Sequence, residues 1–251
     1  MLNHSVFGDP AAPGVIIVHG LYGSGRNWGV IAKRLSDAAR VITVDMRNHG
    51  TSPRTETHSY PDLATDLAEL IDHLGGPLHV VGHSMGGKAS MMLALTRPDL
   101  VDRLVVADIA PVSYGHSQVQ YIHAMRAVDL SRVTRRSEAE AQLAELGVEP
   151  ALCSFFTQSL DVPGKAWRIN LDTLEREMDK ILAFPQVDRQ FDGETLFLSG
   201  ALSGYVKPDD RPEIKRLFPR SHFAKLPGAG HWLHAEKPRE FEAAVRTFLG
   251  L

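Results

Sequence analysis

The chain has 251 residues, and 27 Lys plus Arg against 30 Asp plus Glu leave a formal net charge of −3. Hydrophobic residues at 43% and charged residues at 23% match a globular domain and exclude a disordered or collagen-like chain. The near-neutral balance argues against nucleic-acid and anionic-membrane partners, and no apolar run approaches the roughly 18 residues of a membrane span.

Short apolar runs alternate with longer helical patterns. Leu2 to Phe7 is a candidate edge strand. Val15–Val18, Val41–Val44, Leu78–Val81, Leu104–Ala107 and Thr195–Leu198 are aliphatic or β-branched runs bounded by turn residues. They are expected to be buried parallel strands, apolar on both faces. His222 to Leu226 is expected to be the last strand. Between them, Leu63, Leu67, Leu70, Ile71 and Leu74 form one apolar face of a helix over Pro61 to Leu74, stopped by Gly75-Gly76-Pro77. Phe241, Val245 and Phe248 repeat that spacing near the end. Strands alternating with helices predict an α/β fold with a mostly parallel sheet and right-handed crossovers.

Residues 115–191 break the alternation. They contain helical patterns such as Glu138 to Leu146 and Leu171 to Phe184, and no convincing strand. The segment is too long for a plain loop. It is expected to be a helical cap inserted into a core made of residues 1–114 and 192–251. The competing expectation is that these helices cover a sheet face. The first residues, Met1 to Ser5, show no basic and apolar leader pattern, and the single cysteine, Cys153, fits a reducing cytoplasm.

The sharpest motif is Gly82-His83-Ser84-Met85-Gly86, between the Leu78–Val81 run and the helical run Ala89–Leu95. A G-x-S-x-G between strand and helix is a nucleophile elbow. It holds the serine in a strained turn that leaves no room for flanking side chains, and it sets Oγ at a helix N-terminus that favours negative charge. In such an elbow, the loop after the first buried strand supplies one oxyanion donor and the residue after the serine supplies the other. Those donors are the backbone N–H groups of Leu21, in His19-Gly20-Leu21-Tyr22-Gly23, and of Met85. His19 is expected to order that loop. The base should be a late histidine, because the chain order is serine, acid, histidine. His231, in Gly228-Ala229-Gly230-His231-Trp232, fits better than His234, since its flanking glycines allow a close approach.

The His19-Gly20 loop, the Asp45-Met46-Arg47-Asn48-His49-Gly50 segment, the Ser84 elbow and the His231 segment together resemble the α/β-hydrolase superfamily. Gly82 to Lys88, Asp108-Ile109-Ala110-Pro111 and His231 to Pro238 narrow the resemblance to the small bacterial YbfF-like carboxylesterases, which cleave short acyl esters and acyl-CoA thioesters. The common superfamily pattern places the acid after the strand before last, where this chain has Ser203. The YbfF-like group matches at Asp108, one strand closer to the elbow, so the resemblance implies Asp108 as the acid. Asp209 and Asp210 are the competing positions. The resemblance also implies Ser203 as a fourth hydrogen-bonding member beside His231, against a plain turn residue.

Other motifs are weaker. Gly23-Ser24-Gly25 with Asp45 half-imitates a dinucleotide fingerprint, but Trp28 stands where the third glycine belongs. Asp45 and His49 lack a convincing metal spacing, so neither cofactor nor metal is expected. Arg47, Lys88, Arg135 and Arg136 are the cations a CoA phosphate would meet, or else surface and structural residues. The expected function is a serine hydrolase acting on small-molecule acyl esters or acyl-CoA-like thioesters. A C–C bond hydrolase or lactonase on the same scaffold is the enzyme alternative, and a hydrolase-like binding protein the non-enzyme one.

Overall fold

The computed structural model describes residues 1–251. The first part of the chain runs β1 (His4–Phe7), β2 (Gly14–Val18), α1 (Gly29–Leu35), β3 (Arg40–Val44), α2 (Tyr60–Leu74), β4 (Leu78–His83), α3 (Met85–Thr96) and β5 (Val101–Ala107). Then come α4 (Val119–Ala127), α5 (Arg136–Glu145), α6 (Pro150–Thr157), β6 (Leu160–Asp161), β7 (Ala166–Trp167), α7 (Leu171–Arg176) and α8 (Met178–Leu182). The chain ends with β8 (Thr195–Gly200), α9 (Arg211–Leu217), β9 (Ser221–Leu226), α10 (Leu233–Glu236) and α11 (Pro238–Leu249).

Seven strands form one sheet in the order β1-β3-β2-β4-β5-β8-β9. β1 pairs antiparallel with β3, and every other neighbour pair is parallel. The apolar runs explain this burial on both faces. Ile16, Val18, Ile42, Val44 and Val80 enter one core with α2 and α3, while Val15, Ile17, Val41, Val81 and Val105 enter a second core with α1 and α11. Alternate side chains of one strand therefore feed opposite layers, as the pleat requires.

Local chemistry sets the helix limits. Ser59 caps α2 by accepting from the Asp62 N–H, and the Asp62 carboxylate reaches back to the Ser59 N–H at 3.2 Å. Gly75, at φ 80°, ends that helix in the left-handed conformation glycine favours.

The segment between β5 and β8 meets the loops at the carboxyl edge of the sheet. Tyr22 Oη donates to Gln118 O at 2.9 Å, and Ser159 Oγ donates to Tyr22 O at 3.2 Å. Asn170 Nδ2 donates to Asn48 Oδ1 at 3.0 Å, and Tyr60 Oη to Ile181 O at 2.6 Å. The segment also holds a strand pair that sequence reading did not expect. Leu160 faces Trp167 and Asp161 faces Ala166 across β6 and β7. Two residues per strand are too few to display an alternation, so no periodic signal marks them.

Candidate active site

Ser84 stands between β4 and α3 with φ 53° and ψ −120°. Its N–H donates to Ala107 O of β5 at 3.0 Å, which holds the turn against the neighbouring strand. Both elbow glycines are sterically required. A Cβ on Gly82 would lie 2.4 Å from Gly86 O and from Ser90 Oγ. A Cβ on Gly86 would lie 2.3 Å from Val18 O and 2.4 Å from His19 O, so β2 and α3 come this close only because the side chain is absent.

Asp108 follows β5 as Ser84 follows β4. It too has a left-handed backbone, at φ 52°, and its N–H donates to Leu198 O of β8 at 2.9 Å. Its side chain is fully buried. Oδ1 accepts from Gly200 N at 3.0 Å, and Oδ2 accepts from both Ser203 Oγ at 2.5 Å and His231 Nδ1 at 2.7 Å. The other imidazole nitrogen, His231 Nε2, lies 3.1 Å from Ser84 Oγ. The structure thus brings Ser84, His231, Asp108 and Ser203 into one continuous chain of hydrogen bonds. Asp209 is exposed and Asp210 binds the Lys207 N–H at 2.7 Å, so neither contacts His231.

Several residues hold His231 that local sequence did not single out. Tyr205 stacks on its ring, with centroids 4.0 Å apart and planes at 23°. The Tyr205 N–H donates to Ser203 Oγ at 3.2 Å, which leaves the Ser203 proton free for Asp108. His83, next to the serine, donates from Nε2 to the carbonyl of His231 at 2.8 Å. Burial, with His234 and His231 alongside, pushes the His83 imidazole well below its usual pKa, so it stays neutral. His83 and His231 are 148 positions apart, and the only local hint was the place of His83 inside the elbow.

The loop after β2 is fixed by two neutral histidines. His19 donates from Nδ1 to Gly20 O at 2.8 Å and accepts from Met46 N at Nε2, 3.0 Å away. His49 accepts from Tyr22 N at 3.1 Å and donates to Arg47 O at 3.0 Å. Burial lowers the pKa of both. Within this frame the N–H groups of Leu21 and Met85 find no acceptor in the chain, and both residues line the cavity in front of Ser84. His234 is buried and stacks on Trp28 at 4.0 Å, well away from any base role. Asp45 binds the N–H groups of Gly25 at 2.8 Å and Thr51 at 2.9 Å, which ties two loops together.

The cavity has a volume of about 260 Å³ and is mostly apolar. Tyr22, Tyr60, Ile109, Tyr121, Phe156 and Ile181 are among the apolar and aromatic residues that line it. Of the cations weighed in the sequence, only Lys88 reaches it. Arg47 instead pairs with Asp66 at 2.6 Å, Arg136 donates to Thr157 O at 2.9 Å, and Arg135 faces Glu138 at 3.3 Å. Burial pushes the Lys88 amine down to about 7.

A family model described as the alpha/beta hydrolase fold matches residues 13–238. The sn-1-specific diacylglycerol lipase ABHD11 of Mus musculus is 44% identical over 253 residues, covering 96% of this chain and 82% of the relative. The esterase YbfF of Escherichia coli is 37% identical over 239 residues, covering 94% and 92%. A solved structure of a marine microorganism esterase superposes with a TM-score of 0.92 at 36% identity, covering 98% of each chain. An elbow serine at the sheet edge, a family model that matches residues 13–238, and relatives matched over 82% and 92% of their own length lead to one conclusion: this chain belongs to the α/β-hydrolase family of hydrolytic enzymes.

Proposed function

We propose that the chain is a serine hydrolase that cleaves small carboxylic esters, and acyl thioesters by the same steps, through an acyl-enzyme intermediate. The observation that carries this is the His231 imidazole lying between Ser84 Oγ at 3.1 Å and Asp108 Oδ2 at 2.7 Å. His231 Nε2 takes the Ser84 proton as Oγ attacks the acyl carbon. Asp108 keeps the Nδ1–H tautomer and stabilises the imidazolium that forms. The N–H groups of Leu21 and Met85 hold the oxyanion, each donor being worth about 3–4 kcal/mol in comparable sites. The tetrahedral adduct collapses, and His231 returns the proton to the leaving alkoxide or thiolate. Water, deprotonated by the same imidazole, then releases the acid and restores Ser84. Ser203 shares Asp108 Oδ2 with His231 and acts as the fourth member of the chain.

Residues 115–191 are the cap of this site, between core segments 1–114 and 192–251. Gln118, Tyr121, Phe155 and Ile181 from that segment wall the cavity, which supports this division. A cavity of about 260 Å³ lies at the small end of ligand sites and suits a short ester. A reducing cytoplasm suits a chain with one cysteine. The test is turnover of p-nitrophenyl acetate together with labelling by a fluorophosphonate probe. Wild-type protein is expected to do both, and Ser84→Ala neither. Folded wild-type protein that turns over the ester yet resists the probe would overturn the mechanism, and one that does neither would point to a binding protein.

A further inference from the structure

Lys88 lies one helical turn beyond Ser84 on α3, and its N–H donates to Ser84 O at 3.0 Å. Its residue is 1% exposed, yet it lines the cavity. Helical side chains lean toward the helix N-terminus, so the Lys88 stem leans back over the elbow. Nζ donates to Leu182 O and Ala183 O, both at 2.8 Å, and lies 4.7 Å from the centre of the Tyr114 ring. An ammonium has three N–H donors. The chain supplies acceptor oxygens for two of them and pairs Lys88 with no carboxylate. No Asp or Glu lines the cavity, and Lys88 is its only Lys or Arg.

Burial without a counter-anion disfavours the charged form of this amine, and a carboxylate bound beside it would restore the charge. The two carbonyls and the ring face partly stabilise the charged form, and they hold the amine at a fixed place beside a mostly apolar cavity. A methionine or leucine would fill the same volume without the penalty. We propose that Lys88 is a specificity residue, which pairs with a carboxylate at the far end of the substrate's acyl group. The substrate class is then a monoester of a short dicarboxylic acid. This rests on the serine hydrolase function proposed above. A cavity of about 260 Å³ that holds both Ser84 and Lys88 leaves room only for a short chain between the carboxylate and the reacting carbonyl. The leaving group must lie toward His231, which protonates it, and this leaves the acyl group to the Lys88 side.

The test compares two p-nitrophenyl esters of equal length, the glutarate half-ester and the neutral valerate. In wild-type protein kcat/KM is expected to favour the half-ester by about tenfold or more, the scale of one charge-assisted hydrogen bond. In Lys88→Met the ratio is expected to fall to one or below, whatever happens to the absolute rates. A wild-type ratio at or below one, or a ratio unchanged in Lys88→Met, overturns the inference. A second measurement guards against a variant that fails to fold and does not depend on turnover. In Ser84→Ala, calorimetric titration should show the phenyl half-ester of glutarate binding at least tenfold tighter than phenyl valerate. Equal binding overturns the anion site even if neither ester is hydrolysed. Tight half-ester binding without wild-type turnover of either ester instead overturns the hydrolase function and leaves the anion site standing.

Discussion

Ser84 and Asp108 leave adjacent parallel strands at the same register. His83 pairs with Ala107 across β4 and β5, and the next residue on each strand turns at positive φ, 53° for Ser84 and 52° for Asp108. Two matched turns set a hydroxyl and a carboxylate side by side over the sheet edge, and His231 closes the gap from the loop after β9. In the mechanism proposed above, the acid therefore comes from the strand next to the nucleophile, while Ser203 occupies the later loop.

Asp108→Asn tests that placement. The amide fits the same space but cannot hold the imidazole in the required tautomer, and in the serine protease precedent this costs about 10⁴ in kcat. The same scale of loss is expected here, with an unchanged urea midpoint. Asp209→Asn changes an exposed side chain and should stay near wild type. Near-normal turnover in Asp108→Asn, measured with p-nitrophenyl acetate, would remove it from the relay.

Ser203→Ala removes one donor from Asp108 Oδ2, while Gly200 N and His231 Nδ1 remain. A hydrogen bond to a charged group is worth about 1.5–3 kcal/mol. The expected result is a fall of about tenfold or more in kcat with little change in KM. A rate equal to wild type would make Ser203 a turn residue only.

Much of this site was legible in the sequence for a local reason. The elbow is five consecutive residues whose glycines are demanded by contacts of 2.3–2.4 Å, so the pattern survives in one dimension. The strands were legible because burial on both faces gives unbroken apolar runs. Asp108 was legible only through family resemblance, since a lone Asp after a strand has no distinctive neighbours. Tyr205 over His231 and Lys88 under Leu182 were not legible as contacts, because folding joins them across long stretches of chain. The β6–β7 pair was missed because Leu160–Asp161 and Ala166–Trp167 are shorter than one alternation.

Gly86→Ala should be severely destabilising. The new methyl would stand 2.3 Å from Val18 O, a backbone atom in the middle of the sheet, so relief requires moving β2 from α3. A loss of about 3 kcal/mol or more is expected, in the range of core overpacking. Gly29→Ala, where no heavy atom lies within 4 Å of the added carbon, is the control and should change the urea midpoint little.

Acid should weaken the fold through its buried histidines. Burial lowers the pKa of His58 and of His234 to about 3, while an unfolded histidine titrates near 6.5. Between those values the unfolded chain binds more protons than the native one, so stability rises with pH there and is lost as pH falls. Above about pH 8 both states are neutral and these two residues contribute no pH dependence. From pH 7 to pH 5 each is expected to cost roughly 2 kcal/mol, because an unfolded histidine goes from about a quarter protonated to almost fully protonated while the native one takes up almost nothing. Urea unfolding of wild type at the two pH values measures the sum over all the buried histidines, with His19, His49 and His83 adding losses of the same sign. His234→Phe keeps an aromatic ring against Trp28 and deletes one titrating group, so its loss between pH 7 and pH 5 should be about 2 kcal/mol smaller. An equal loss in variant and wild type would mean that His234 takes up a proton without unfolding.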